Sequence, residues 1–147
     1  MVWKTVTAIV VVAVPGTALG LYTLLLLFTE DLYTQKGTYA YYVTITSPTI
    51  KNFPRIQLTE EEDYYSSCGD GPKLPANGIR YTSSEKSEVL KQRIEAYLLE
   101  RGFQKETDQT GGGEYARPGS RIFFDLRIVS EAGGVQRVVG TESYGFN

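Results

Sequence analysis

The chain of 147 residues contains no histidine and a single cysteine, Cys68. The absence of histidine removes the commonest acid–base catalyst and a frequent metal ligand. One cysteine cannot form an internal disulfide, and without histidine or a second cysteine it lacks the partners of a nucleophile or a zinc site. These absences argue against a cysteine hydrolase and against a zinc protein.

The chain also lacks the loops that bind nucleotides and the charge that binds nucleic acid. It has no G-x-S-x-G, Walker or dinucleotide motif, and Gly111–Gly113 is not followed by a helix. Net charge is −2 with scattered basic residues, so no basic surface for nucleic acid is expected. No catalytic, cofactor-binding or metal-binding residue is assigned, and the sequence does not predict an enzyme.

Two groups of acidic residues are candidate sites. The run Glu60–Asp63 with Asp70 lacks the ligand spacing of an EF-hand, so a solvated acidic loop is expected there. Glu114, Asp125 and Glu142 fall on neighbouring predicted strands, where wet faces routinely carry such residues. Neither group predicts a metal site or an acid–base pair.

One long apolar run is present, Thr5–Phe28, and it carries no charge. As a helix its 24 residues would be about 36 Å long, enough to cross a hydrocarbon core of about 30 Å. A cleaved signal peptide is the alternative, but cleavage after Ala18–Gly20 would leave an apolar mature end that water does not tolerate. The run is therefore interpreted as a single-pass transmembrane helix, a signal anchor.

Small residues predict how this helix packs. Ala13, Gly16 and Gly20 form a small-residue stripe containing G-x-x-x-G, which lets another helix backbone approach closely. Glycine is also generally commoner in membrane helices than in soluble ones, which is the alternative explanation. Lys4 before the run favours a cytoplasmic N-terminus and an extracytoplasmic C-terminal domain.

The sequence divides into three parts: residues 1–28 are the tail and span, 29–37 a juxtamembrane linker, and 38–147 a water-facing α+β domain. Alternation predicts a strand over Thr38–Thr46, a short strand over Arg55–Leu58, and a long loop over Thr59–Gly78. After Gly113, further strands are expected at 114–117, 121–129 and 135–144. A mostly antiparallel sheet with one amphipathic helix accounts for this order.

The amphipathic helix is predicted over Ser83–Arg101. Thr82 and Glu85 fit a capping box at its start, and Gly102 is expected to end it. Leu90, Ile94, Tyr97 and Leu98 recur at helical spacing, which predicts a buried stripe.

Tyrosine is unusually abundant, with eleven in the chain. Tyrosine provides large contact area at low entropic cost and is enriched at protein interfaces. Tyr39 and Tyr41 are expected in the core, whereas Tyr42, Tyr64 and Tyr65 are expected to contact a partner.

Together these features predict a single-span accessory or scaffold subunit of a larger membrane protein complex. Its partners would be the lipid bilayer and other membrane subunits, with no nucleic acid. The alternative is a membrane-tethered binding module for an envelope component, a small ligand or a soluble protein. The loop 59–78 would then be the binding element.

Overall fold

The computed structural model describes residues 16–70 and 72–145. Within them, the strands are β1 (Leu32–Gln35), β2 (Asp63–Ser67), β3 (Ala76–Ser83), β4 (Gln104–Gln109), β5 (Gly112–Ala116), β6 (Ile122–Ser130) and β7 (Gln136–Tyr144). They form one sheet in the order β1-β2-β3-β7-β6-β5-β4, and every neighbouring pair is antiparallel. The α+β class and the antiparallel sheet predicted from the sequence are confirmed.

The helices are α1 (16–27), α2 (Tyr39–Thr44), α3 (Pro48–Lys51) and α4 (Ser87–Glu100). Helix α1 covers the second half of the apolar run, and residues 1–15, with Ala13, lie outside the described residues. Among the described helices none combines the length and the apolar character that crossing a bilayer requires. Helices α2, α3 and α4 contribute to the core on one face of the sheet, and the opposite face is left open.

The core lies between α4 and the inner face of the sheet. Leu90, Ile94 and Leu98 are fully buried, which confirms the predicted stripe at these three positions, whereas Tyr97 is only partly buried against the core. The rings of Phe53 and Phe124 belong to the same core cluster and stack with centroids 5.6 Å apart. Burying each such side chain stabilises the fold by about 1.5–3 kcal/mol.

The start of α4 differs from the prediction, and its end agrees with it. Ser83 belongs to β3, where its hydroxyl donates to Ile56 O at 2.6 Å and accepts from Glu85 N at 3.1 Å. Because Thr82 and Ser83 are part of the sheet, the predicted capping box does not form. The helix begins at Ser87. At the other end, Gly102 has a φ of +82° and ends the helix as predicted.

The predicted strand over 38–46 is wrong, because its centre forms α2. The Thr38 side chain accepts from Tyr41 N at 3.2 Å and thereby caps the helix. Tyr41 and Ile45, four residues apart, are both buried, whereas Tyr39 is exposed and not in the core. Residues 41 and 45 lie on one face in a strand and also on one face in a helix, so the sequence pattern fits both. The helix forms because it buries both side chains against the rest of the domain.

The segment predicted as a long loop, 59–78, contains β2 and the start of β3, so that prediction is also wrong. Long-range pairing explains the difference, since β2 pairs with β1 on one side and β3 on the other. The expected strand at 55–58 reduces to one bridge between Leu58 and Ser83. Part of the expected linker, Leu32–Gln35, is β1.

The strands after α4 agree better with the sequence. β5, β6 and β7 lie where alternation predicts them, and Phe124, Leu126 and Ile128 face inward. β4 was not predicted, because all six of its residues are polar and exposed.

Asn77 fixes the link between α2 and α3. Its Oδ1 accepts from Thr46 N and Ser47 N, both at 2.9 Å, and its Nδ2 donates to Thr44 O at 3.0 Å. The side chain is only 4% exposed, so these bonds replace water at backbone groups of buried Thr44 and Ser47. Asn77 thus holds α2 in place beside α1.

Candidate functional site

The surface of α1 is apolar on nearly every side. Large exposed side chains are distributed around the whole circumference of the helix. They are Leu19, Leu21, Tyr22, Leu24, Leu25 and Leu27, followed by Phe28. Leu26 is the exception at 8% exposed. Water does not tolerate a continuous apolar surface of this kind without cover.

One side of α1 contacts α2 directly. The rings of Tyr22 and Tyr39 stack with centroids 6.0 Å apart. Thr23 Oγ1 donates to Leu19 O at 2.8 Å, so the Tyr39 hydroxyl donates to Thr23 Oγ1 at 2.6 Å. Together with buried Leu26, these contacts hold the domain against the end of the helix.

The proposed helix-packing residues stay a prediction. Ala13 lies outside the described residues. At Gly16 and Gly20, no described atom lies within 4 Å of the position that a Cβ would take. Within the part of the chain that the structure describes, both glycines therefore face open space.

The three tyrosines expected at a partner surface occupy different environments. Tyr42 is 66% exposed. Tyr65 is half-buried, and its hydroxyl donates to Asp31 Oδ1 at 2.7 Å. Tyr64 is fully buried, which corrects the expectation for that residue.

Tyr64 is buried because it faces Ile79 across β2 and β3 on the inner side of the sheet. Its ring packs edge-on against Tyr41 with centroids 4.7 Å apart. Its hydroxyl accepts from Arg55 and donates to Glu62 Oε1 at 3.1 Å. Burial raises the pKa of Tyr64 to about 12, so the phenol stays neutral in this network.

A groove of about 440 Å³ runs along the open face of the sheet. Its aromatic wall is formed by Tyr33 and Tyr65, whose centroids lie 5.3 Å apart, and the Arg80 guanidinium lies 5.6 Å from the centroid of Tyr33. The charges at the groove are paired, since Lys73 Nζ lies 2.5 Å from Asp31 Oδ1 and Arg80 pairs with Asp63. Hydrogen bonding from Lys73 lowers the pKa of Asp31. The groove offers aromatic contact area without excess charge.

A smaller cavity of about 210 Å³ lies between the end of α1 and the part of the sheet where β2 ends and β3 begins. Leu26 and Leu27 line one side, and Val43, Ser66 and Cys68 are among the residues of the other. Cys68 is a free, partly exposed thiol.

The acidic groups do not assemble into a metal site. Glu62 lies 2.9 Å from Arg55 Nε, and Asp63 pairs with Arg80 at 2.7 Å. Across residues 16–70 and 72–145, no three or more histidine, cysteine or acidic side chains are placed to hold a metal ion.

The strand carboxylates are also separated. Glu114 and Asp125 are register partners on the open face of β5 and β6. Glu142 is register partner to Phe124, so it faces the core instead of the wet face expected for it. These three groups therefore do not converge.

Glu142 is buried, although the sequence predicts it on the wet face of a strand. Its Oε1 accepts from the Tyr144 hydroxyl at 2.5 Å, and its Oε2 has no hydrogen-bond partner among the described residues. Burial and this bond to Glu142 raise the pKa of Tyr144. The alternation of β7 through buried Val138 is the signal that could have placed Glu142 inside.

No family model, curated protein or solved structure matches this chain.

Proposed function

We propose that this protein is a single-span accessory subunit of a larger membrane complex, inserted through residues 5–28. The observation that supports this most directly is the uncharged surface of α1, which is apolar around its whole circumference except at the contact with α2. Helices that are hydrophobic all round are either enclosed in a large protein or surrounded by lipid. The preceding residues continue the apolar run to the length that a bilayer requires.

The junction between helix and domain favours a subunit over a freely swinging receptor. β1 begins at Leu32, only a few residues after α1 ends, and Tyr39 packs on Tyr22. A domain held in this way has a defined position relative to its helix. That geometry suits docking onto a neighbouring membrane protein, with Lys4 on the cytoplasmic side and the domain outside.

Packing through the helix would use Gly16 and Gly20, with Ala13 one turn before. No described residue fills the space beside either glycine, so a second helix backbone could approach there closely. Leu25 lies about 140° around the axis from Gly20, on the bulky side of the helix.

The second candidate is a membrane-tethered binding module, and the groove on the open sheet face is the observation that favours it. Tyr33 and Tyr65 give it two aromatic rings, and Arg80 adds a planar cation. An envelope component, a small ligand or a soluble protein would bind there, whereas the segment 59–78, expected as one binding loop, contains β2 and the start of β3. Under either proposal the protein is not an enzyme.

Copurification from native membranes in a mild detergent tests the subunit proposal. We expect stoichiometric partners with the unmodified chain and with Leu25→Ile, whose side chain is 63% exposed on α1. Gly20→Ile should lose these partners while the chain still inserts, because the added side chain separates the helix backbones.

Two results would contradict the proposal. Isolation of the unmodified chain alone would favour the tethered module. Retention of partners by both variants would show that the helix is an anchor only.

A further inference from the structure

Helix α2 divides its residues cleanly between the domain and the outside. Tyr41 and Thr44, together with Ile45 just after the helix, are buried against the domain. Tyr39, Tyr42 and Val43 form the opposite side, at the i, i+3 and i+4 spacing of one helix face. We call this side the α2 face.

The α2 face adjoins α1 at two points. Tyr39 stacks on Tyr22 and hydrogen-bonds to Thr23, whereas Val43 lines the same cavity as Leu26 and Leu27. The α2 face therefore lies beside the last turns of α1, level with the end of the apolar run.

We propose that the α2 face rests in the lipid headgroup layer of the bilayer that the N-terminal helix enters. This proposal depends on the transmembrane assignment made under the proposed function. It adds a second membrane contact, which is made by the folded domain and not by α1. The anchoring side chains are Tyr39 and Tyr42.

The lengths agree with that depth. An apolar run of 24 residues is about 6 Å longer than a hydrocarbon core of about 30 Å, which is enough length for its last turn to reach the headgroup layer. Tyr22 to Leu27 spans roughly 8 Å along α1, and the α2 face packs against this part. Its tyrosines are thereby placed at the depth where tyrosine and tryptophan are enriched in membrane proteins.

The chemistry of the face also fits lipid headgroups better than a protein partner. The whole of α2 is uncharged, and Tyr42 is 66% exposed. A tyrosine places its ring among the glycerol and upper acyl groups while its hydroxyl stays hydrated. The face is also continuous with the exposed leucines of α1, which need apolar cover themselves.

Depth-dependent fluorescence quenching in the full chain tests the proposal. Trp3 is the only tryptophan, so Trp3→Phe gives a background without indole. Tyr42→Trp is then added, and the protein is reconstituted into phosphatidylcholine vesicles whose acyl chains are brominated at shallow positions. Val129→Trp is the matched control, because Val129 is 55% exposed at the end of β6 away from α1.

We expect the indole at position 42 to emit at shorter wavelength and to be quenched several-fold more by the brominated lipid than the indole at position 129. Iodide in the buffer should quench them in the reverse order. Equal iodide quenching at both positions would overturn the proposal, because the α2 face would then lie in water. Protection from both quenchers would overturn it as well, because a protein partner would then cover the face.

Alkaline carbonate extraction of the same vesicles separates the two proposals. Release of the protein would contradict the transmembrane assignment itself. Retention of the protein with an iodide-accessible indole at position 42 would contradict only the lipid contact of α2.

Discussion

Asn77→Ala is expected to be among the most damaging polar substitutions in this fold. The Asn77 side chain satisfies Thr46 N and Ser47 N, and Ser47 is itself buried. Leaving the buried Ser47 N–H unpaired costs about 1–3 kcal/mol in the free energy of unfolding. The Thr46 N–H adds less, because Thr46 is exposed and its N–H can bond to water. α2 should also loosen, because Thr44 O loses the bond from Asn77 Nδ2.

Urea unfolding of the full chain in detergent micelles measures this loss through near-ultraviolet dichroism of the buried tyrosines. Asn77→Leu separates hydrogen bonding from cavity formation, because leucine fills similar space but accepts no hydrogen bond. We expect Leu and Ala variants to lose similar stability. Asn52→Ala is the control, since the Asn52 amide donates to Pro48 O at the surface and should cost under about 1 kcal/mol.

A loss below about 1 kcal/mol in Asn77→Ala would refute this reasoning, because the Ser47 N–H would then have found another partner. Recovery of full stability in Asn77→Leu would show that packing, and not hydrogen bonding, is the function of the side chain.

Three further predictions concern separate parts of the chain. Ile94→Ala should lower the free energy of unfolding by about 2–5 kcal/mol and Arg93→Ala, an exposed neighbour, by under about 0.5 kcal/mol; equal losses in urea unfolding would show that α4 is rotated. On intact cells a membrane-impermeant thiol reagent should label Cys68, and labelling only after lysis would reverse the proposed orientation. Hydrogen bonds from lysines, Lys105 foremost, lower the pKa of Asp108 to about 2. The contribution of Asp108 to stability is therefore present above the ordinary carboxyl pKa and is lost as pH falls towards 2. Lys105→Ala should raise the Asp108 pKa in an NMR titration, and an unchanged pKa would refute the pairing.

The parts of the fold that the sequence predicts correctly have a periodic apolar signal of their own. α4 repeats Leu90, Ile94 and Leu98 every four residues, and β6 alternates through Phe124 and Leu126. In both elements, the buried residues can be recognised from the apolar pattern of that one segment alone. The predicted start of α4 is wrong because Ser83, which the local pattern assigns to the helix, belongs to a strand of the sheet.

The elements that were missed depend on distant partners or carry no apolar signal. β2 was hidden inside an acidic, tyrosine-rich segment, and it becomes a strand because Tyr64 pairs with Ile79 and Asp63 with Arg80. β4 has six exposed polar residues and is a strand only through its pairing with β5. Periodicity cannot report either interaction.

The candidate surfaces show the same limit. The exposed leucines of α1 follow from the apolar run, and the exposure of Tyr42 was expected. The paired tyrosines of the groove were not, because Tyr33 and Tyr65 are adjacent only through the β1–β2 register. The α2 face was not expected either, because it exists only when this segment is a helix. In a strand, Tyr42 would point to the opposite side of the sheet from Tyr39 and Val43.

The two edges of the sheet bear on how a partner protein would bind. β1 is a strand of four residues, held beside the end of α1, and β4 carries exposed charges that include Lys105 and Asp108. Short edge strands and charged edge strands are both devices that discourage pairing with another chain. A partner is therefore better accommodated on the open face, where Tyr33, Tyr65 and Arg80 present side chains, than by adding a strand at either edge. Substitutions on that face, such as Tyr33→Ser, should therefore weaken a partner that copurifies through the domain more than substitutions along β4.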